Sequence, residues 1–171
     1  MKNRPNIVLV GFMGTGKTAV GKMLATDLDM TFVDMDEAIV KKNGKSIPEI
    51  FAQDGEERFR QLERQLCVEL SGESGMVIAT GGGIVLNPLN IRDFSESGLV
   101  ICLKASPETI LKRVETDTNR PLLAGNKMKK IKKILSDRNE LYSSIPESID
   151  TDQLSLREVC DYVCKLYKKK H

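Results

Sequence analysis

Residues Gly11–Thr18 of this 171-residue chain read GFMGTGKT. This stretch has the pattern G-x-x-x-x-G-K-[ST]; the apolar run Ile7–Val10 precedes it, and a helical pattern follows it. Glycines let such a loop curl so that its backbone N–H groups face an anion, and the next helix adds partial positive charge. Lys17 can reach the β- and γ-phosphates of a nucleotide, and the Thr18 hydroxyl can bind Mg²⁺. The sequence therefore predicts a nucleoside triphosphate site on a phosphate-binding loop (P-loop).

The composition is that of one globular domain over residues 1–171, with 40% hydrophobic and 29% charged residues. A net charge of +2 is too small a basic excess for a dedicated nucleic-acid binder. No apolar run reaches membrane-spanning length and no signal-peptide pattern is present, so we expect a cytoplasmic protein. The four cysteines lack C-x-x-C spacing and the only histidine is His171, which argues against a zinc site.

Strand-like and helix-like segments alternate along the whole chain. The predicted strands are Ile7–Val10, Thr31–Asp34, Met76–Ala79, Leu99–Leu103 and Ser148–Asp150. This alternation after a P-loop predicts an α/β fold of three layers, with a five-stranded parallel sheet between helices: the P-loop NTPase fold. Ligands of such sheets bind at the carboxyl ends of the strands.

Helix signals separate these strands. Capping boxes at Ser46–Glu49 and Ser155–Glu158 predict helix starts. Apolar residues at helical spacing predict helices over Glu56–Leu70 and Lys127–Tyr142. The lysines of the second of these are expected to form its solvated face.

Two acids, Asp34 and Asp36, stand at the end of the second strand. Alternate residues of a strand lie on the same side, so we expect both carboxylates to face one cleft. One acid near Mg²⁺ and one near a substrate hydroxyl is the arrangement that phosphoryl transfer needs. The alternative is that one of these acids only caps the following helix.

The third strand is followed by three consecutive glycines, Gly81–Gly83. Such a turn exposes backbone N–H groups and allows a ligand to approach closely, which favours a functional role. Arg60 lies among the acids of the segment Glu56–Glu63. Spacing alone favours a surface ion pair for this arginine over a ligand contact.

The segment Asp117–Asn126 is a loop of about ten residues that contains Arg120. This length is typical of a lid, and an arginine on a closing lid can meet the transferring phosphoryl group. Arg113 before the loop and Arg138 after it could equally be exposed charges.

Together these motifs resemble the shikimate kinase family along nearly the whole chain. The features that match in order and spacing are Gly11–Thr18 continuing to Gly21, Asp34-x-Asp36, Phe59-Arg60-x-x-Glu63, Gly81–Gly83 and Arg120-Pro121-Leu122-Leu123. The resemblance implies the sheet order 2-3-1-4-5, a shikimate-binding region over about residues 34–63 and a lid over about residues 113–127 that closes over ATP. It also implies transfer of the γ-phosphoryl group of ATP to the 3-hydroxyl of shikimate, giving shikimate 3-phosphate and ADP, in the biosynthesis of chorismate and the aromatic amino acids.

The resemblance further implies a role for each matching residue. The implied nucleotide-binding residues are Gly14, Thr15, Gly16, Lys17, Thr18, Ala19, Arg113, Arg120 and Gln153. The implied shikimate-binding residues are Asp36, Arg60, Gly81, Gly82, Gly83 and Arg138. The implied catalytic residues are Lys17, Asp36 and Arg120, and the implied ligands of Mg²⁺ are Thr18 and Asp34. Arginine suits a substrate with a carboxylate, because a guanidinium fork pairs with both of its oxygens.

Three other functions remain as alternatives. A related small-molecule kinase such as a gluconate kinase shares the architecture, although the arginines favour an acceptor that carries a carboxylate. A GTP-binding switch needs N-K-x-D and D-x-x-G, but Asn126–Lys129 reads NKMK and D-x-x-G does not occur. An RNA-binding module built on the lysine-rich segment 127–133 would lack an aromatic stacking platform. The expected partners are therefore ATP and shikimate, without nucleic acid or membrane, and the resemblance implies a monomer.

Overall fold

The structure is a computed structural model that describes residues 4–115 and 125–171. Within these residues, five strands form one parallel sheet in the order β2-β3-β1-β4-β5. The strands are β1 Asn6–Val10, β2 Thr31–Asp34, β3 Met76–Ala79, β4 Gly98–Lys104 and β5 Ser148–Asp150. The predicted fold class, strand number and strand order are confirmed.

Helices cover both faces of the sheet. They are α1 Lys17–Leu28, α2 Met35–Asn43, α3 Ile47–Gln53, α4 Glu56–Ser71, α5 Pro88–Ser97, α6 Pro107–Val114, α7 Lys127–Ser143 and α8 Leu156–Lys170. Helices α1 and α8 pack on one face, and α2 through α7 contribute to the core on the other. Among the helices of the described ranges, none has both the length and the apolar character needed to cross a bilayer.

Strand β1 lies at the centre of the sheet and is buried on both sides. Ile7 and Leu9 belong to the core beneath α1 and α8, whereas Val8 and Val10 belong to the core on the opposite face. All four side chains are fully buried. An uninterrupted apolar run is what a central parallel strand requires, because neither face meets water.

The predicted helix starts are also found. Ser46 and Ser155 each accept a hydrogen bond from the backbone N–H of the glutamate three residues later. The side chain of that glutamate accepts one from the backbone N–H of the serine. Helix α7 is amphipathic as predicted: Ile131 is buried, while Lys132 and Lys133 beside it are exposed.

Asp34 and Asp36 both face one cleft as predicted, but strand alternation is not the reason, because Asp36 does not lie on the strand. Strand β2 ends at Asp34, and α2 begins at Met35. The Asp34 side chain caps this helix by accepting a hydrogen bond from the backbone of Glu37 at 3.1 Å, and Asp36 lies in the first helical turn. The helix starts here because an aspartate satisfies a free N–H group and favours the positive end of the helix dipole.

Asn6 connects three elements at the edge of the sheet where β1 and β3 begin. Its side chain is fully buried, donates to the carbonyl oxygens of Leu70 and Glu73, and accepts from the backbone N–H of Met76. These bonds join the start of β1 to the end of α4 and the start of β3. Asn6 therefore fixes how α4 approaches the sheet.

We predict that Asn6→Ala lowers the free energy of unfolding by about 2 to 3 kcal/mol, because it leaves buried backbone groups unpaired. Urea denaturation monitored by circular dichroism measures the loss. The matched control is Asn87→Ala, which removes a helix cap that accepts from the backbone of Leu89 and should cost about 1 kcal/mol. Equal losses in the two variants would show that the Asn6 bonds contribute no more than a helix cap.

Candidate active site

A cavity of about 780 Å³ opens at the carboxyl ends of the strands. This volume lies within the usual range for small-molecule sites. Its lining includes ten of the residues singled out from the sequence: Gly14, Gly16, Lys17, Thr18, Ala19, Asp34, Asp36, Gly81, Gly82 and Arg113. The fold therefore brings the P-loop, the aspartate pair and the glycine turn together in one place.

The P-loop forms one wall of this cavity. Gly16, directly before α1, has a φ of 97°, a left-handed conformation that a side chain would disfavour. Lys17 is the first residue of α1, and its ammonium group donates to the carbonyl oxygens of Gly11 and Phe12 at 2.6 and 2.8 Å. The N-terminus of α1 and the Lys17 charge thus face the same space, which makes this wall an anion site.

Two oxygen-bearing side chains meet beside the P-loop. The Thr18 hydroxyl donates to Asp34 Oδ2 at 2.8 Å. Hydroxyl and carboxylate oxygens are the ligands that Mg²⁺ prefers, and Mg²⁺ normally completes its shell with waters and substrate phosphates. No cluster of three or more acids, cysteines or histidines suited to a metal occurs in the described part of the chain. The Thr18–Asp34 pair therefore fits Mg²⁺ bound together with nucleotide phosphates.

The opposite wall is the glycine turn after β3. The Thr80 hydroxyl and backbone N–H both donate to the carbonyl oxygen of Leu9, at 2.8 and 3.1 Å. A Cβ built on Gly82 would lie 3.3 Å from the Met13 nitrogen, so the turn packs directly against the P-loop. The two walls are therefore in contact at their base.

A cluster of charged side chains surrounds this turn. Arg60 on α4 forms ion pairs with Glu56 and Glu63, each at 3.0 Å. A Cβ on Gly83 would overlap the Arg60 guanidinium, and a Cβ on Gly81 would lie 2.9 Å from Glu63 Oε2 and 3.0 Å from Asp36 Oδ1. Glycine at these positions lets the charged groups approach the turn. The ion pair expected for Arg60 is present, and it lies at the edge of the site.

Glu63 belongs to the Phe59-Arg60-x-x-Glu63 motif, although the sequence alone assigns no role to its side chain. Its side chain is only 2% exposed. Burial raises the pKa of Glu63 and the nearby Asp36 charge adds to this, whereas Arg60 and Arg138 oppose the rise. Its spacing of three residues from Arg60 on one helix is the signal that indicates the pair.

Two atoms of this ion pair are buried without a hydrogen bond to any described residue: Arg60 Nε and Glu63 Oε2. Buried polar atoms are nearly always hydrogen-bonded, so these atoms beside the glycine turn indicate room for a polar ligand. Arg60, Glu63 and Arg138 are not themselves part of the cavity lining. Arg138 on α7, which is 6% exposed, adds a second guanidinium to the same cluster.

Of the remaining residues that the resemblance assigns to the nucleotide, one lies at the rim of the P-loop and one within it. Arg113 at the end of α6 donates to the carbonyl oxygen of Gly14 at 3.0 Å and to the Thr151 hydroxyl at 3.4 Å, so it lies at the rim of the P-loop. Thr15 is buried within the loop, and its hydroxyl bonds to the Phe12 carbonyl. Gln153 is exposed. Arg120 and residues 116–124 of the predicted lid lie outside the described residues.

Comparison with known proteins identifies the family. The model of the shikimate kinase family matches residues 13–168. The shikimate kinase of Pelotomaculum thermopropionicum is 46% identical over 165 residues, which cover 96% of both chains.

Solved structures agree with this match. A structure of shikimate kinase from Acinetobacter baumannii in complex with shikimate has a TM-score of 0.94 at 37% identity, covering 99% of this chain and 96% of that one. Shikimate kinase from Aquifex aeolicus has a TM-score of 0.84 at 32% identity, covering 96% and 97%. The chain belongs to the shikimate kinase family.

Proposed function

We propose that this protein transfers the γ-phosphoryl group of ATP to the 3-hydroxyl of shikimate, giving shikimate 3-phosphate and ADP. The observation that carries the proposal is the cavity that the P-loop lines together with Asp36, Gly81 and Gly82, beside which Arg60 pairs with Glu63. Membership of the shikimate kinase family supports the choice of acceptor. The product would enter the biosynthesis of chorismate and the aromatic amino acids.

The P-loop wall is proposed to hold the nucleotide. Backbone N–H groups at the start of α1 would receive the phosphates, and Lys17 would exchange its bonds to loop carbonyls for phosphate oxygens. Thr18 and Asp34 would hold Mg²⁺, Asp34 through water. When bound, Mg²⁺ would offset negative charge on the phosphates. Arg113 at the rim and Gln153 are the proposed adenine-side contacts.

The opposite wall is proposed to hold the acceptor. The half-buried Arg60 and the buried Arg138 place two guanidinium groups in one cluster, and a planar carboxylate can pair with both. The glycine turn Gly81–Gly83 would allow the ring of the acceptor to approach the backbone closely. Asp36 would hold ring hydroxyls and accept the proton of the attacking one.

Catalysis would then depend on position and charge. The acceptor hydroxyl and the γ-phosphorus would be held close together, since the glycine turn packs on the P-loop. Lys17 and, from the lid, Arg120 would neutralise charge on the transferring group. The lid over residues 113–127 would exclude water, which otherwise would compete as acceptor. A single-domain, cytoplasmic monomer without a nucleic-acid or membrane partner completes the proposal.

The test is a coupled assay that follows ADP release by the purified protein with ATP, Mg²⁺ and one acceptor at a time. Shikimate should raise ADP release far above the rate in water, whereas gluconate should leave it at that rate. Lys17→Met, which keeps the length of the side chain without its charge, should reduce shikimate turnover by at least about a hundredfold. Turnover of gluconate without turnover of shikimate would overturn the proposal.

Arg60→Met tests the carboxylate clamp. We expect the KM for shikimate to rise about tenfold or more, because a charge-assisted bond is lost, while the KM for ATP stays within twofold. Arg58→Met is the matched control, because Arg58 is exposed on the same helix and bonds only to Gln61 among the described residues. An unchanged KM for shikimate in Arg60→Met would exclude Arg60 from the clamp.

The same variant should lose stability in a pH-dependent way. Arg60 opposes the rise in the pKa of Glu63 above its ordinary value of 4.5, so its removal raises that pKa further. A carboxyl with a raised folded-state pKa loses stability as pH rises through that pKa. Arg60→Met should therefore lose about 2 kcal/mol at pH 7 and less near pH 4.5, measured by urea denaturation. A loss that grows towards acid pH would contradict this.

Gly83→Ala tests the close approach at the turn. Its φ of −91° suits alanine, so the expected effect is displacement of the Arg60 guanidinium and not backbone strain. We expect the KM for shikimate to rise about tenfold, with a loss of stability no larger than that of Arg60→Met. Gly72→Ala at the end of α4 is the control, because its Cβ would meet nothing closer than 3.4 Å. Equal kinetics of the two variants would contradict the close approach.

A further inference from the structure

Tyr142 on α7 connects that helix to the glycine turn. Its hydroxyl donates to the carbonyl oxygen of Gly82 at 2.5 Å. The ring is 5% exposed and packs in the core on this face of the sheet. Tyr142 belongs to none of the sequence motifs described above. It also does not line the 780 Å³ cavity, because it contacts the glycine turn from the side of α7.

The turn is held at its beginning and at its middle by different elements. Thr80 fixes the beginning on β1 through the carbonyl oxygen of Leu9. Tyr142 fixes the middle, at the residue that packs against the Met13 nitrogen of the P-loop. The position of Gly82 relative to the P-loop is therefore set in part by one side-chain hydroxyl.

Tyr142 also lies one helical turn after Arg138, the second guanidinium of the cluster. Burial raises the pKa of Tyr142 to about 12, while the charge of Arg138 and a hydrogen bond from it oppose the rise. The phenol thus stays protonated at neutral pH and remains a hydrogen-bond donor. One rigid helix connects the glycine turn with the arginine beside it.

We propose that Tyr142 is a positioning residue for phosphoryl transfer. Its hydroxyl holds the Gly82 carbonyl so that the glycine turn keeps the acceptor aligned with the phosphates on the P-loop. The proposal rests on the proposed function, because it concerns the acceptor side of the same site. It predicts that loss of the hydroxyl changes the use of the acceptor and leaves ATP binding intact, since the Tyr142 contact is to the acceptor wall.

The decisive variant is Tyr142→Phe, which removes only the hydroxyl. Its matched control is Tyr167→Phe on α8, because the Tyr167 hydroxyl also donates to a backbone carbonyl, that of Pro5, at 2.8 Å. Tyr167 is 9% exposed and lies in the core on the other face of the sheet. The two variants lose equivalent bonds at different distances from the site.

Steady-state kinetics with shikimate and ATP are measured on both variants and the parent protein, with thermal unfolding alongside. We expect Tyr142→Phe to lower kcat/KM for shikimate about tenfold and to leave the KM for ATP within twofold. Tyr167→Phe should leave all kinetic constants within twofold, while both variants lose similar thermal stability. A purely structural role would make the two variants alike.

Two outcomes would overturn the inference: kinetics of Tyr142→Phe equal to those of Tyr167→Phe, or an equal rise in the KM values for ATP and shikimate. Failure of the proposed function looks different, because the parent protein would then show no shikimate-dependent release of ADP. Turnover by the parent protein with an unaffected Tyr142→Phe would reject the inference alone.

Discussion

The parallel pairing of β1 with β3 is the contact on which the rest of the site depends. Its register sets Leu9 opposite Ala79, so both strands end at the same level. The P-loop follows one strand and the glycine turn follows the other, and Thr80 continues the pairing by bonding to Leu9. The pairing of the two strands therefore brings the P-loop and the glycine turn together at the base of one cavity.

The charged cluster beside the glycine turn contributes little to the stability of the fold. Glu63 is buried beside another acid, and it is tolerated because Arg60 and Arg138 lie next to it. Buried ion pairs are weak sources of stability, and this one leaves Arg60 Nε and Glu63 Oε2 without partners in the described residues. In the proposed complex a carboxylate of the acceptor would accept from Arg60 Nε, and a hydroxyl would donate to Glu63 Oε2. The same unpaired polar atoms would then both lower the stability of the free protein and bind a polar substrate.

Much of the fold follows from local sequence. The apolar run Ile7–Val10, the glycines of the P-loop and the serine capping boxes each specify their structure within a few residues, and the structure agrees with all three. The aspartate pair is different, since both acids line one cavity as expected but not through strand alternation. Strand β2 ends at Asp34, which caps α2, and the first turn of that helix carries Asp36.

The sequence by itself determined the P-loop, the parallel α/β fold, the strand order through its family resemblance, and most of the residues that line the cavity. These are local patterns, or motifs in fixed order, and they do not depend on distant contacts. Only the tertiary structure decided that Glu63 is a buried partner of Arg60, that Gly82 packs on the P-loop, and that Tyr142 holds it there. The last two of these contacts join residues about 60 or more positions apart, and the burial of Glu63 likewise depends on packing between elements. Periodicity along one helix or strand carries no information about such contacts.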